Sequence, residues 1–210
     1  MHWQRGIGRN PPAAAVAARS SDRVERTSPG LAVFFEGVSE DRSHAVLDLG
    51  PATGSSLGVY SRFARWVRFA DLLSSAATTQ AWDAARDSLP GNPERPYDLV
   101  LAWDILDRLE AEEREGLVHR LSEVSAPDAR LFVVVATPVE RPAQLLRFAI
   151  TDIDRMRYES TDVTRTLQAP LLPSEVQRLL IPFQVMRAFS SEVGLREYFA
   201  KRRATPSAAR

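Results

Sequence analysis

Short apolar runs alternate along this chain with amphipathic stretches, and three of the runs end in an aspartate. Ala45-Val46-Leu47 has the pattern of a strand covered on both faces and predicts a strand over 45–49. It leads through Asp48 into a turn that carries Gly50 and Gly54. A second strand-like run, Val67-Arg68-Phe69-Ala70, ends in Asp71, twenty-one residues after Gly50. Residues 97–103 form a third run that leads into Asp104, and 131–135 is an uninterrupted apolar strand. Between these runs the spacing turns helical. Leu31, Phe34, Phe35 and Val38 predict a short amphipathic helix, and 56–65 a second one that buries Leu57, Tyr60 and Phe63. Leu117, Val118, Leu121 and Val124 make one stripe of a helix over 111–124. A last helix opens at Pro173-Ser174-Glu175 and runs through Leu180, and two short strands, 183–189 and 195–200, form an antiparallel hairpin across 190–194. Residues 74–96 hold an Ala-rich helix near 76–86, then the breakers Pro90, Gly91, Asn92 and Pro93, with no clear apolar run for another strand.

Strands alternating with helices in this order predict an α/β fold with a doubly wound, mostly parallel sheet closed by an antiparallel hairpin. Residues 1–28 lack a periodic apolar face and read as a mobile arm, 29–203 as the domain, and 204–210 as a flexible tail. Within the domain, 138–172 is polar and Arg-rich, with Leu145, Leu146, Phe148 and Ile150 as apolar anchors, and reads as a lid.

Composition narrows the function classes. The 210 residues suffice for one α/β domain, and 27 basic against 27 acidic residues leave no net field to draw nucleic acid or an anionic membrane. With no cysteine, disulfides, thiolate metal sites and a cysteine nucleophile are excluded together. His2, His44 and His119 are too scattered for a metal cluster, so no metal is expected. No apolar stretch approaches the roughly 20 residues of a membrane span, and a cytoplasmic protein is the expectation.

The candidate chemistry gathers at the strand ends. Gly50 and Gly54 let the backbone come close to a ligand, and Asp71 on the tip of the neighbouring strand is placed to meet ribose hydroxyls. The stretch Asp48-Leu49-Gly50-Pro51-Ala52-Thr53-Gly54 resembles the first motif of class I S-adenosylmethionine-dependent methyltransferases, an acid followed by three glycines at alternate positions. Ala52 departs from it at the middle glycine. Residues 97–109, the turn at Ala126-Pro127-Asp128-Ala129 and the closing hairpin continue the likeness over roughly 30–202, and the combination is similar to divergent bacterial members of unassigned substrate.

The resemblance implies a methyltransferase-like Rossmann sheet of seven strands, or six where the third is abbreviated. It implies S-adenosylmethionine as cofactor and a small-molecule methyl acceptor. Asp48 would serve the methionine end, Gly50 and Gly54 the close approach, Asp71 the ribose and Asp87 the adenine amino group. Trp103 and Asp104 would face the acceptor, with Asp104 as the base where one is needed. Arg147, Arg155, Arg157 and Arg165 form a candidate anion-binding set on the lid. The alternative is a catalytically silent module that keeps the fold and the nucleoside site. A nucleotide-dependent oxidoreductase fits less well, because 50–55 does not reproduce the Gly-x-Gly-x-x-Gly spacing.

Overall fold

A computed structural model describes residues 23–72, 83, 86, 87, 89, 95–137, 144–164, 168–191 and 194–203. The elements run β1 (Arg23–Thr27), α1 (Pro29–Phe35), β2 (His44–Asp48), α2 (Gly54–Tyr60), β3 (Ala64–Phe69), β4 (Tyr97–Leu101), a 3-10 turn (Ile105–Arg108), and α3 (Ala111–Val124). They continue with β5 (Ser125–Ala136), β6 (Gln144–Asp152), β7 (Arg155–Thr164), α4 (Pro173–Leu179), β8 (Phe183–Ser190) and β9 (Leu195–Arg202).

The main sheet has six strands in the order β3-β2-β4-β5-β9-β8. β2 pairs in parallel with β3 and β4, and β4 with β5. β9 then enters antiparallel between β5 and β8. The described strands are those of a doubly wound sheet with its closing hairpin. Among the described residues no strand follows β3 on its free edge, and most of 74–96, where no apolar run was found, lies outside them. The Ala-rich helix near 76–86 lies almost wholly outside the described residues.

Each strand's two faces serve two cores. Ala45 and Leu47 of β2 join Leu117, Val118, Leu121 and Val124 of α3 and Val176 of α4 on one side. Val46 joins Leu31, Phe34 and Phe35 of α1 and Tyr60 of α2 on the other, which is why a run apolar at every position is needed here. Helix ends are tied locally. Ser28 Oγ accepts from Leu31 N at 3.1 Å with Pro29 opening α1, and Glu113 Oε2 accepts from Glu110 N at 2.9 Å to start α3. Leu57 is 52% exposed, because α2 ends at Tyr60 and turns its other face to the sheet, so Tyr60 and Phe63 alone of the expected trio are buried.

Two departures from the sequence pattern bear on the site. Residues 23–27, expected in the mobile arm, form β1, and Ser28 is fully buried. Residues 144–164, part of the segment 138–172 expected as a lid, form the hairpin β6–β7, which with β1 makes a second sheet in the order β1-β7-β6. The hairpin buries Phe148, Ile150 and Met156 in the core on the α1–α2 side of the main sheet, and exposed pairs, Arg23 with Glu159 at 3.3 Å and Arg155 with Glu25 at 3.4 Å, join β1 to β7. Among the described residues no helix is long and apolar enough to cross a membrane.

Candidate functional site

β2, β3 and β4 end side by side, and their carboxyl ends form the floor of a cavity of about 80 Å³. Leu49, Gly50 and Pro51 supply the turn after β2, Asp71 the end of β3, and Ala102 through Ile105 the end of β4. Leu145 to Phe148 of β6 and Thr161 of β7 form the roof. The hairpin is held there by Ile150 N, which donates to Ser56 Oγ at 3.1 Å, and by Arg108 Nη2, which donates to Gln144 O at 2.9 Å.

Asp48 lies beneath the floor, 1% exposed. Its Oδ1 accepts from Gly50 N at 2.8 Å and Trp103 Nε1 at 2.6 Å, and its Oδ2 from Tyr60 Oη at 2.6 Å. Burial pushes its carboxyl up to about 6 against the pull of these three donors. Gly50 is fixed by its surroundings, since a Cβ there would stand 2.8 Å from Trp103 Nε1 and 3.1 Å from Asp48 Oδ1. At Gly54, the first residue of α2, a Cβ would meet nothing within 4 Å, so that backbone stays approachable.

Trp103 is 3% exposed and has a left-handed backbone, φ 45°. Its ring stacks on Phe148 at 5.3 Å with planes 6° apart and meets Phe132 edge-on at 5.8 Å. It therefore stands as a wall between the turn after β2 and the hairpin. Asp104 lines the cavity at 4% exposure, with Arg108 Nη2 3.6 Å from its Oδ2. Burial raises its carboxyl to about 7, Arg108 drawing it down and Asp107 pushing it up. A carboxyl titrating there exchanges a proton readily at neutral pH.

Of the seven residues the sequence points to, Gly50, Asp71, Trp103 and Asp104 line this one cavity. Asp48 lies beneath it, outside the lining. Gly54 stands at the start of α2, outside the lining. Asp87 is a correction: it is exposed, paired to Arg86 Nε at 3.0 Å, and sits with Gly116, His119 and Arg120 in a depression on α3. Among the described residues no neighbouring strand presents it to the carboxyl edge. Three of the four arginines are described. Arg147 lines the cavity's rim, whereas Arg155 pairs with Glu25, Arg157 Nη2 reaches Ser55 Oγ at 3.5 Å, and Arg165 is outside the described residues. The sequence reading missed Tyr60 as a partner of Asp48; an aromatic hydroxyl one helix after an acid-ending strand was the available signal.

No family model and no curated protein matches the sequence. Among solved structures the chain is similar to a Burkholderia thailandensis 1,6-didemethyltoxoflavin-N1-methyltransferase with bound 1,6-didemethyltoxoflavin and S-adenosylhomocysteine. The two are 17% identical, the match covers 84% of this chain and 77% of that one, and the TM-score is 0.51. A TehB-like S-adenosylmethionine-dependent methyltransferase from Corynebacterium glutamicum is 12% identical, with 83% and 88% covered and a TM-score of 0.48. The first likeness establishes the fold, the methyltransferase-type Rossmann arrangement.

Proposed function

We propose that the chain transfers a methyl group from S-adenosylmethionine to a small-molecule acceptor. The observation that carries this reading is the meeting of Gly50, Asp71 and Asp104 on one cavity at the carboxyl ends of adjacent parallel strands, where sheets of this kind place their ligands. The residues present fit the cofactor at its ribose end, with Asp71 as acceptor for the hydroxyls and the open approach at Gly54 for the backbone. When bound, the cofactor supplies a methyl group already activated on a sulfonium, so the protein's part is placement and proton handling. Asp104 holds a carboxylate inside the cavity and takes the acceptor's proton at Oδ1 or Oδ2. The β6–β7 hairpin acts as the lid, and its Leu145, Leu146 and Phe148 keep water from the reacting centre.

Two observations favour a second reading, a catalytically silent module. Both oxygens of Asp48 are taken by protein donors, and about 80 Å³ is well below the roughly 300 Å³ at which ligand pockets begin. Full occupancy therefore requires the Trp103 wall or the hairpin to move.

Calorimetry with S-adenosylhomocysteine and S-adenosylmethionine tests the cofactor, and a screen of labelled methyl transfer over a cell extract tests the reaction. Asp71→Ala is expected to weaken binding about ten- to hundredfold through lost charge-assisted hydrogen bonds. Absence of binding by the parent refutes both readings of the cofactor site. Binding without transfer to any acceptor favours the module.

A further inference from the structure

Glu197 lies in the middle of β9, opposite Val134 of β5 and Phe189 of β8, and is 1% exposed. A carboxylate buried there is costly unless donors meet it. Three come from the N-terminal segment: Arg26 Nη2 at 2.6 Å on Oε1, and Ser28 Oγ at 2.7 Å and Gly30 N at 2.8 Å on Oε2. The approach is close enough that a Cβ on Gly30 would stand 2.6 Å from Glu197 Oε2 and 2.9 Å from Phe132 Cε2. An apolar side chain of the same size would fill this place without the desolvation cost. What the carboxylate adds is direction, since it holds 26–30 in one position against the main sheet.

That position is handed on to the cavity roof. Arg26 also lies against Met156 Sδ at 3.8 Å, Ser28 N donates to Asp154 O at 2.7 Å, and β1 pairs with β7 from Arg23 opposite Glu159 to Thr27 opposite Arg155. β7 in turn sets Tyr158 opposite Phe148 of β6, and Phe148 is the roof residue stacked on Trp103. Glu197 itself does not line the cavity.

We propose that Glu197 is a positioning residue for the roof of the cavity, acting through Arg26, Ser28 and β1 to fix the β6–β7 hairpin over the strand ends. Its effect on ligand affinity rests on the cofactor reading above, whereas its effect on the hairpin does not.

The test compares the full-length parent with Glu197→Gln, which keeps the shape and removes the charge, by amide hydrogen exchange and by S-adenosylhomocysteine calorimetry. Exchange over 144–152 and 155–164 is expected to quicken about tenfold or more while β2, β4 and β5 keep the parent's rates. Affinity is expected to fall roughly three- to tenfold. Tryptophan emission should shift to the red, and the shift should vanish when Trp103→Phe is added, which ties the change to the roof. Unchanged exchange in the hairpin, or an equal rise across the whole main sheet, overturns the proposal. Faster hairpin exchange with unaltered affinity and emission overturns the link to the cavity. A parent that does not bind S-adenosylhomocysteine sinks the cofactor reading and leaves exchange and emission to decide this one. Should Glu197→Gln fail to fold, Arg26→Met, which leaves Ser28 and Gly30 on the carboxylate, is read by the same criteria.

Discussion

Trp103 Nε1 donates to Asp48 Oδ1 at 2.6 Å, joining residues at the ends of two adjacent parallel strands and 55 positions apart in the chain. A bulky residue with φ 45° is strained, and a buried carboxylate is costly; the bond offsets part of both. Trp103→Phe keeps a ring to stack on Phe148 and removes the donor. It is expected to destabilise the protein by about 1–3 kcal/mol, measured by urea unfolding. An unchanged midpoint would mean that the carboxylate finds another donor at no cost.

The same bond marks the limit of what the sequence discloses. Local periodicity places α3 at 111–124 and the β8–β9 hairpin to within a residue or two, because stripe and turn are short-range signals. The clustering of Gly50, Asp71, Trp103 and Asp104 follows from strand order alone. Trp103 was expected to face the acceptor, and the structure also turns its indole to Asp48, a long-range pairing that no local spacing encodes. β1 and β6–β7 were hidden for a related reason. β1 finds its partner far along the chain, Arg23 opposite Glu159, and the charge-rich face of β7 reads as solvated chain until Phe148, Ile150 and Met156 are seen to pack into the core.

Gly50 and Gly54 differ in what surrounds them. Gly50→Ala forces its new methyl against Trp103 Nε1 and Asp48 Oδ1 and is expected to cost about 1–3 kcal/mol in unfolding free energy. Gly54→Ala meets open space, so its stability should stay within about 1 kcal/mol of the parent's while S-adenosylhomocysteine affinity drops. Equal affinity in parent and Gly54→Ala would place the ligand away from α2.

Stability should fall as pH rises through the acid range. Asp48 and Asp104 are raised from 3.8 to about 6 and about 7, so the folded state holds their protons more tightly than the unfolded chain does. Their stabilising contribution is complete below about pH 4 and is lost as pH climbs to about 6 for Asp48 and about 7 for Asp104. At about 1.4 kcal/mol per pH unit, Asp104 accounts for a loss on the order of 4 kcal/mol. Urea unfolding at pH 4 and pH 8 should show a smaller drop for Asp104→Asn than for the parent. Parallel profiles would place the titration elsewhere.

Removing residues 1–28 is expected to lower the thermal midpoint by many degrees, contrary to the reading of that whole stretch as a dispensable arm. The deletion takes away Arg26 and Ser28 and leaves Glu197 buried with fewer donors, a loss of about 3–5 kcal/mol for a broken buried pair. A midpoint equal to the parent's would show that water reaches Glu197 once β1 is gone.

The Arg26–Glu197 pair spans 171 positions, nearly the length of the chain, and this sets an order of events during synthesis. β2 and β4 pair through Val46 opposite Leu99, and β9 leaves the ribosome after both. Until it inserts between β5 and β8, β1 has no carboxylate to dock on and the hairpin no fixed roof position. A nascent chain truncated before residue 195 thus carries the strand-end aspartates and the β6–β7 hairpin without Glu197, the anchor that on the proposal above fixes one over the other.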